Sequence, residues 1–394
     1  MRGRKKAITG KTMRAVMDAP IQRIKELGRG REDLVSFAQG LPWFGPPAAP
    51  LARALERLRR GEGDAYGPTL GRERLRELLA ADLRQRGVAA ARAENIMVTP
   101  GANQAIYILL AALADPLGEV LLFRPYYFNN LMALQMLGLK PALVDTAADG
   151  AIDPDEARRK IGPRTRAMIV ISPNNPSGAR VDARVYAELL RLSGERGIPL
   201  ISDEAYRDFA WDASHVSPLE VNVDGVVGVY SFSKSFGMAG WRLGFVHAPK
   251  ELIDAATKAA DTLHICPPLP AQILAEEALA VEPSYPARFR REMMESRDLL
   301  IAALRPLHEN ELIGGLRSAG GFYLFVRLFP RKLQSGWELV RRLVEEHSLA
   351  AVPGEAFGMG EHPHLRLSYG NIRPGEMESA APRLAAALER LLGS

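Results

Sequence analysis

Between residues 95 and 232, short and almost wholly apolar runs alternate with helical patterns, and that alternation limits the folds open to the chain. The runs lie at 95–99, 119–123, 167–172, 199–202 and 226–232, with helical patterns at 102–114 and near 129–137 among them. A strand buried on one face alternates apolar with polar residues, whereas a strand buried on both faces is apolar throughout. These runs are of the second kind. They predict an α/β fold with a mostly parallel sheet sandwiched by helices. From about residue 285 the texture changes to a charged helical stretch, then alternating segments such as Gly321-Phe322-Tyr323-Leu324-Phe325-Val326, then an amphipathic helix near 374–392. That predicts a smaller α+β domain. Residues 36–50 hold too much Pro and Gly for a helix and read as an extended connector. The expected division is 1–47 for an N-terminal arm and small-domain segment, 48–284 for a large domain and 285–394 for a small C-terminal domain.

A chain of 394 residues is long enough for two such cores. The formal charge of +5 does not point to nucleic acid, because basic residues share helical faces with acids, as in Arg72-Glu73-Arg74-Leu75-Arg76-Glu77. Only Met1-Arg2-Gly3-Arg4-Lys5-Lys6 is a basic cluster, and it reads as a frayed terminal arm. Cys266 is the single cysteine, which excludes an intrachain disulfide and suits a reducing compartment. No run approaches the ~20 apolar residues of a membrane span, and no apolar stretch follows the basic start. The expectation is a cytoplasmic protein with no membrane or nucleic-acid partner. The seven histidines have no metal-ligand spacing beyond His362-Pro363-His364, so no metal is expected.

The most informative string is Ser231-Phe232-Ser233-Lys234-Ser235-Phe236-Gly237-Met238-Ala239-Gly240-Trp241-Arg242-Leu243-Gly244. Most other lysines sit beside charged or turn residues; Lys234 ends an apolar run among Ser, Gly and aromatic residues. Removal from water disfavours the charged form of a lysine, and a neutral amine can attack an aldehyde to form a Schiff base. The serines and Arg242 offer hydroxyl donors and a guanidinium fork to an anionic phosphate. Read without this company, Lys234 is an ordinary lysine at a flexible turn.

The string resembles the lysine signature Ser-x-x-Lys-x-x-Gly-x-x-Gly-x-Arg-x-Gly of the class I/II aminotransferases, which have the pyridoxal-phosphate (PLP) fold type I. The resemblance implies a pyridoxal 5'-phosphate enzyme that moves an amino group from an L-amino acid to a 2-oxo acid, 2-oxoglutarate by default. It implies that Lys234 carries the cofactor and shuttles a proton, and that Ser231, Ser233 and Arg242 hold the phosphate. Asp203-Glu204-Ala205-Tyr206 resembles the family's Asp-Glu-x-Tyr, with Asp203 on the ring nitrogen and Tyr206 on the ring hydroxyl oxygen; otherwise Asp-Glu at a strand end is a common helix cap. Asn174-Asn175-Pro176-Ser177-Gly178 is by itself a tight turn. By resemblance, Asn175 bonds the ring oxygen and lies near the substrate.

Gly101, Ala102 and Asn103 match the family's phosphate loop at a helix start, where free N–H groups and the dipole favour an anion. Tyr127 matches the ring that stacks on the cofactor, with Tyr126 as the alternative. Tyr66 matches a tyrosine that reaches across a homodimer to the neighbour's phosphate. Arg366, in His364-Leu365-Arg366-Leu367-Ser368, matches the clamp on the substrate α-carboxylate. Gly40 matches a glycine beside the substrate, with Trp43 and Phe44 walling the side-chain pocket. Dicarboxylate-specific relatives carry a second arginine after the lysine signature, but Thr262-Leu263-His264-Ile265-Cys266-Pro267-Pro268 has none. Apolar or aromatic donors are therefore expected. A carbon–sulfur β-lyase on the same fold and a non-catalytic PLP-binding regulator are the alternatives, the latter disfavoured because too few residues precede Gly40 for a winged helix-turn-helix.

Overall fold

A computed structural model describes residues 8–212, 215–330, 335–360 and 362–393. The basic cluster at 1–6 lies outside them. An early strand, β1 (Val35–Ser36), stands apart from the larger sheet, which has seven strands among the described residues. These are β2 (Ile96–Thr99), β3 (Glu119–Arg124), β4 (Lys140–Asp145), β5 (Thr165–Ile171), β6 (Leu200–Asp203), β7 (Val226–Ser231) and β8 (Gly244–His247). Their order is β2-β8-β7-β6-β5-β3-β4, with β8 antiparallel to both neighbours and the other pairings parallel. Alternate residues feed two separate cores. Leu121, Met168 and Val170 pack on one face, while Val120, Leu122, Ala167 and Ile169 pack on the other. That is why the strands are apolar throughout.

The C-terminal region builds a second, antiparallel sheet from β9 (Ile313–Gly314), β10 (Tyr323–Leu328), β12 (Val352–Pro353) and β13 (His364–Ser368), in the order β12-β13-β10-β9. Between them in sequence, β11 (Leu349–Ala350) pairs in parallel with β1. The start of the chain is thus stitched to its end, with Phe37 N–H donating to Ala350 O at 2.7 Å and Ser368 N–H to Phe37 O at 2.7 Å. Helices Arg290–Glu309, Gly336–His347 and Pro374–Gly393 cover this sheet.

Three local readings shift. Residues 36–50 are not extended to their end, because the helix Ala48–Arg59 takes the last three, with Pro50 tolerated in its first turn. The arm holds two short helices, Lys11–Ala15 and Pro20–Leu27, that periodicity did not show; neither spans three turns. The apolar run ending at Phe232 stops as strand one residue early. Ser231 then accepts from Ser233 N–H at 3.2 Å and starts the single helical turn Phe232–Ser235, so Lys234 stands on a turn rather than at the strand end.

Candidate active site

The carboxyl ends of parallel strands are where ligands settle in open α/β sheets, because loops diverge there and leave a crevice. Here β6 ends at Asp203, β7 ends three residues before Lys234, β5 leads into Asn175, β3 into Tyr127 and β2 into Gly101. Above that edge, β10 and β13 hang Tyr323 and Arg366 from the second sheet. The isolated bridge between Ala210 and Gly320 and the bond from Trp211 N–H to Ala319 O at 2.8 Å hold the two parts together. The result is a cleft of about 320 Å³, at the small end of the roughly 300–1,000 Å³ usual for small-molecule sites.

Gly40, Ala102, Asn103, Tyr127, Asn175, Asp203, Tyr206, Ser231, Ser233, Lys234, Arg242 and Arg366 all line this cleft, drawn from positions scattered over more than 300 residues. Tyr127 lines it and Tyr126 does not. Gly101 sits just behind, as the N-cap of helix Ala102–Leu113, with φ +87° and no side chain capping the helix. A Cβ on Gly101 would stand 2.5 Å from Arg242 Nη2, so only glycine lets the guanidinium close over the helix start. Tyr66 is exposed and lines a neighbouring hollow, which shares Arg242 with the cleft.

Trp43 and Phe44 need correction as pocket walls, since neither lines the cleft. Phe44 is buried and stacks on Phe289 at 3.8 Å, and the half-buried Trp43 packs edge-on against Phe44. The apolar walls are Ile21, Leu41, Phe128 and Ile171. Sequence reasoning also missed Tyr323, whose hydroxyl hydrogen-bonds that of Tyr206. The only signal was its place in an alternating strand.

The electrostatics are unusual. Lys234 donates from Nζ to Gly40 O at 2.6 Å. Burial, with Arg366 and Arg242 nearby, pushes its amine down to about 8 against the pull of Asp203. Asp203 is buried and accepts one bond, from Ala205 N–H at 3.1 Å. No helix follows it, so it is not a helix cap. Burial lifts its carboxyl to about 6, with the Glu204 charge adding to the rise. Arg366 is buried, donates to Asn175 Oδ1 at 2.9 Å and to Ala38 O, and leaves Nε without a partner. Among the described residues no carboxylate pairs with Arg366, Arg242 or Lys234, and Asp203 is the only acid lining the cleft. A buried cation without its counter-ion is costly, so this site is built to receive anions.

A second hollow, of about 400 Å³, lies behind Glu204. There Arg86 pairs with Asp208 at 2.8 Å, Arg207 with Asp82 and His215 with Glu204 at 2.7 Å. Its charges are already satisfied, which distinguishes it from the cleft. It does anchor the cleft: Ser235 Oγ donates to Asp208 Oδ2 at 2.5 Å and fixes the turn that carries Lys234.

A family model described as aminotransferase class I and II matches residues 32–384. The chain belongs to that family. Aromatic aminotransferase ISS1 of Arabidopsis thaliana is 32% identical over 384 residues, covering 95% of each chain. The aspartate/prephenate aminotransferase of Thermus thermophilus is 32% identical over 370 residues, covering 93% of this chain and 94% of that one. Among solved structures, aspartate aminotransferase from Thermus thermophilus with maleate superposes with a TM-score of 0.88 at 30% identity, over 98% of this chain and all of the other. Class I and II aminotransferases depend on pyridoxal phosphate, and this chain is a PLP-dependent aminotransferase of fold type I. Its residues fit that cofactor: an uncapped helix start and Arg242 for the phosphate, a buried acid with one hydrogen bond, and an amine of lowered basicity.

Gly40 offers a test of how tightly this aminotransferase cleft is packed. A Cβ there would stand 1.8 Å from the Tyr323 hydroxyl oxygen. Gly40→Ala should cost about 1–3 kcal/mol of stability, read as a lower urea midpoint. Adding Tyr323→Phe, which removes the struck atom, should restore part of it.

Proposed function

We propose that this aminotransferase works through Lys234, takes amino groups from apolar or aromatic L-amino acids, and passes them to 2-oxoglutarate. Bound in the cleft, pyridoxal phosphate supplies an aldehyde and a ring that withdraws electrons from the substrate's Cα. Gly101, Ala102, Asn103, Ser231, Ser233 and Arg242 would hold the phosphate, and Tyr127 would offer its face to the ring. Asp203 would keep the ring nitrogen protonated, and Asn175 and Tyr206 would bond the ring oxygen. Arg366 grips the substrate α-carboxylate, and Gly40 leaves room for the backbone of that substrate. The Lys234 amine, in the same cleft as Arg366, would take the proton from the substrate's Cα and return it across the substrate nitrogen, as base and then acid. The observation that carries this reading is Arg366: a buried guanidinium with an orphaned Nε and, among the described residues, no carboxylate partner, in the same cleft as a lysine of lowered basicity.

The active unit is a homodimer in this reading, with Tyr66 supplied across the interface; its exposure beside Arg242 supports that. The division at 1–47, 48–284 and 285–394 is supported by the seven-stranded sheet, which lies within 48–284 and shares no strand with the two sheets built from the flanking segments. No described helix is long and apolar enough to cross a membrane, and the single cysteine supports a cytoplasmic setting. Donor names among the relatives, aromatic and aspartate alike, support a broad specificity.

The test is an absorbance spectrum of the purified holoenzyme. A visible band that L-phenylalanine bleaches and 2-oxoglutarate restores supports the reading. Release of ammonia and pyruvate from cysteine-like donors, with no need for a 2-oxo acid, sinks it in favour of a β-lyase.

A further inference from the structure

The cleft is lined by four cationic side chains, and the proposed reaction uses three of them. Lys234 handles the proton, Arg242 the phosphate and Arg366 the α-carboxylate. The fourth, Lys25, makes no hydrogen bond or ion pair with any described residue. It stands on helix Pro20–Leu27 one turn after Ile21, and residues four apart share a helix face. Both line the cleft. That face is not free to roll away. Ile24 is buried in the core, and the Arg23 guanidinium lies 4.0 Å over the Trp337 ring, which fixes the rotation of the helix.

We propose that Lys25 is the residue that recognises the distal carboxylate of a dicarboxylic 2-oxo acid. This rests on the aminotransferase reading above and names the source of its acceptor preference. A five-carbon dicarboxylate held by its α-carboxylate at Arg366 brings a second negative charge that the cleft must meet; among the described residues Asp203 is the only acid on its walls to oppose that charge. The loop 262–268 offers no arginine, and its His264 lines the neighbouring hollow rather than the cleft. Lys25 is the remaining uncommitted cation. Its flexible stem and exposed position suit two classes of substrate in turn. With a dicarboxylate the ammonium reaches the distal oxygens. With an apolar donor it stays in water while Ile21 and Leu41 take the side chain.

The experiment uses the holoenzyme in its aminated form, reacted in single turnover with 2-oxoglutarate or with 2-oxohexanoate, which lacks the second carboxylate. Lys25→Met should raise the half-saturating concentration of 2-oxoglutarate about 3- to 5-fold, within the range of an exposed ion pair, and change 2-oxohexanoate by less than about 1.5-fold. Lys25→Arg should recover most of the loss. Binding of glutarate and of hexanoate, read by calorimetry, should split in the same way without turnover. Equal losses for both acceptors, or none for either, overturn the assignment of Lys25 while leaving the enzyme a transaminase. If the wild-type holoenzyme takes no amino group to 2-oxoglutarate at all, the functional reading itself falls, and the Lys25 assignment falls with it.

Discussion

Replacing Lys234 by alanine should leave a protein that folds but transaminates at least ~10⁴-fold more slowly, because in the proposed reaction one side chain supplies both the covalent tether and the proton shuttle. Folding should survive. The amine donates only to Gly40 O, and burial already disfavours its charge, so its loss removes a liability as well as a bond. The lowered basicity makes a second, graded expectation. With the free amine at about 8, roughly a tenth is neutral one pH unit lower, and only the neutral amine attacks an aldehyde. Stopped-flow uptake of pyridoxal phosphate by the apoprotein should quicken about tenfold per pH unit on the acid side and level off above about pH 8. An uptake rate still climbing at pH 10 would show that the cleft does not depress Lys234.

Asp203→Asn should do two opposite things: lower turnover by about 10²–10³-fold and stabilise the apoprotein near neutral pH. The first follows because a neutral amide cannot hold a proton on the ring nitrogen. The second follows from linkage. The folded carboxyl sits at about 6 against 3.8 in an open chain, so the folded state binds this proton more tightly than the unfolded one. Folding stability therefore falls as pH rises through that window, and ionised Asp203 costs the empty site on the order of 3 kcal/mol above it. Asparagine carries no such cost. Urea unfolding of the two apoproteins should show the variant ahead at pH 7.5, the gap closing below pH 6 and gone near pH 4. Saturating the wild type with cofactor should also close the gap at pH 7.5. A variant less stable than wild type across the whole range would mean that Asp203 supports the fold rather than the chemistry.

These expectations rest on residues that differ in how far the sequence exposed them. Lys234 was legible because its neighbours are chemical as well as local: Ser231, Ser233 and Arg242 lie within one short string and converge on one side of a turn. Asp203 was legible as the end of an apolar strand. Tyr323 was not, because its value lies in touching Tyr206, 117 residues away, and nothing in an alternating strand reveals which far side chain it meets. Trp43 was misplaced for a related reason. Its neighbour Phe44 found an aromatic partner, Phe289, on a helix nearly 250 residues away, and the segment followed that contact.

By itself the sequence determined the class of fold and the chemical inventory. Strands apolar on both faces must be covered on both faces, and a lysine signature with its serines and arginine carries its phosphate-binding logic in adjacent residues. Local spacing and hydrophobic burial suffice for both. Only the tertiary structure decided which charges go unpaired. Lys25 reads as an ordinary basic residue on a short helix, and without the family resemblance Arg366 reads as one on a strand, until β1 ties the start of the chain to β11 near its end. Electrostatic cost depends on distance and burial in three dimensions, and a linear chain records neither.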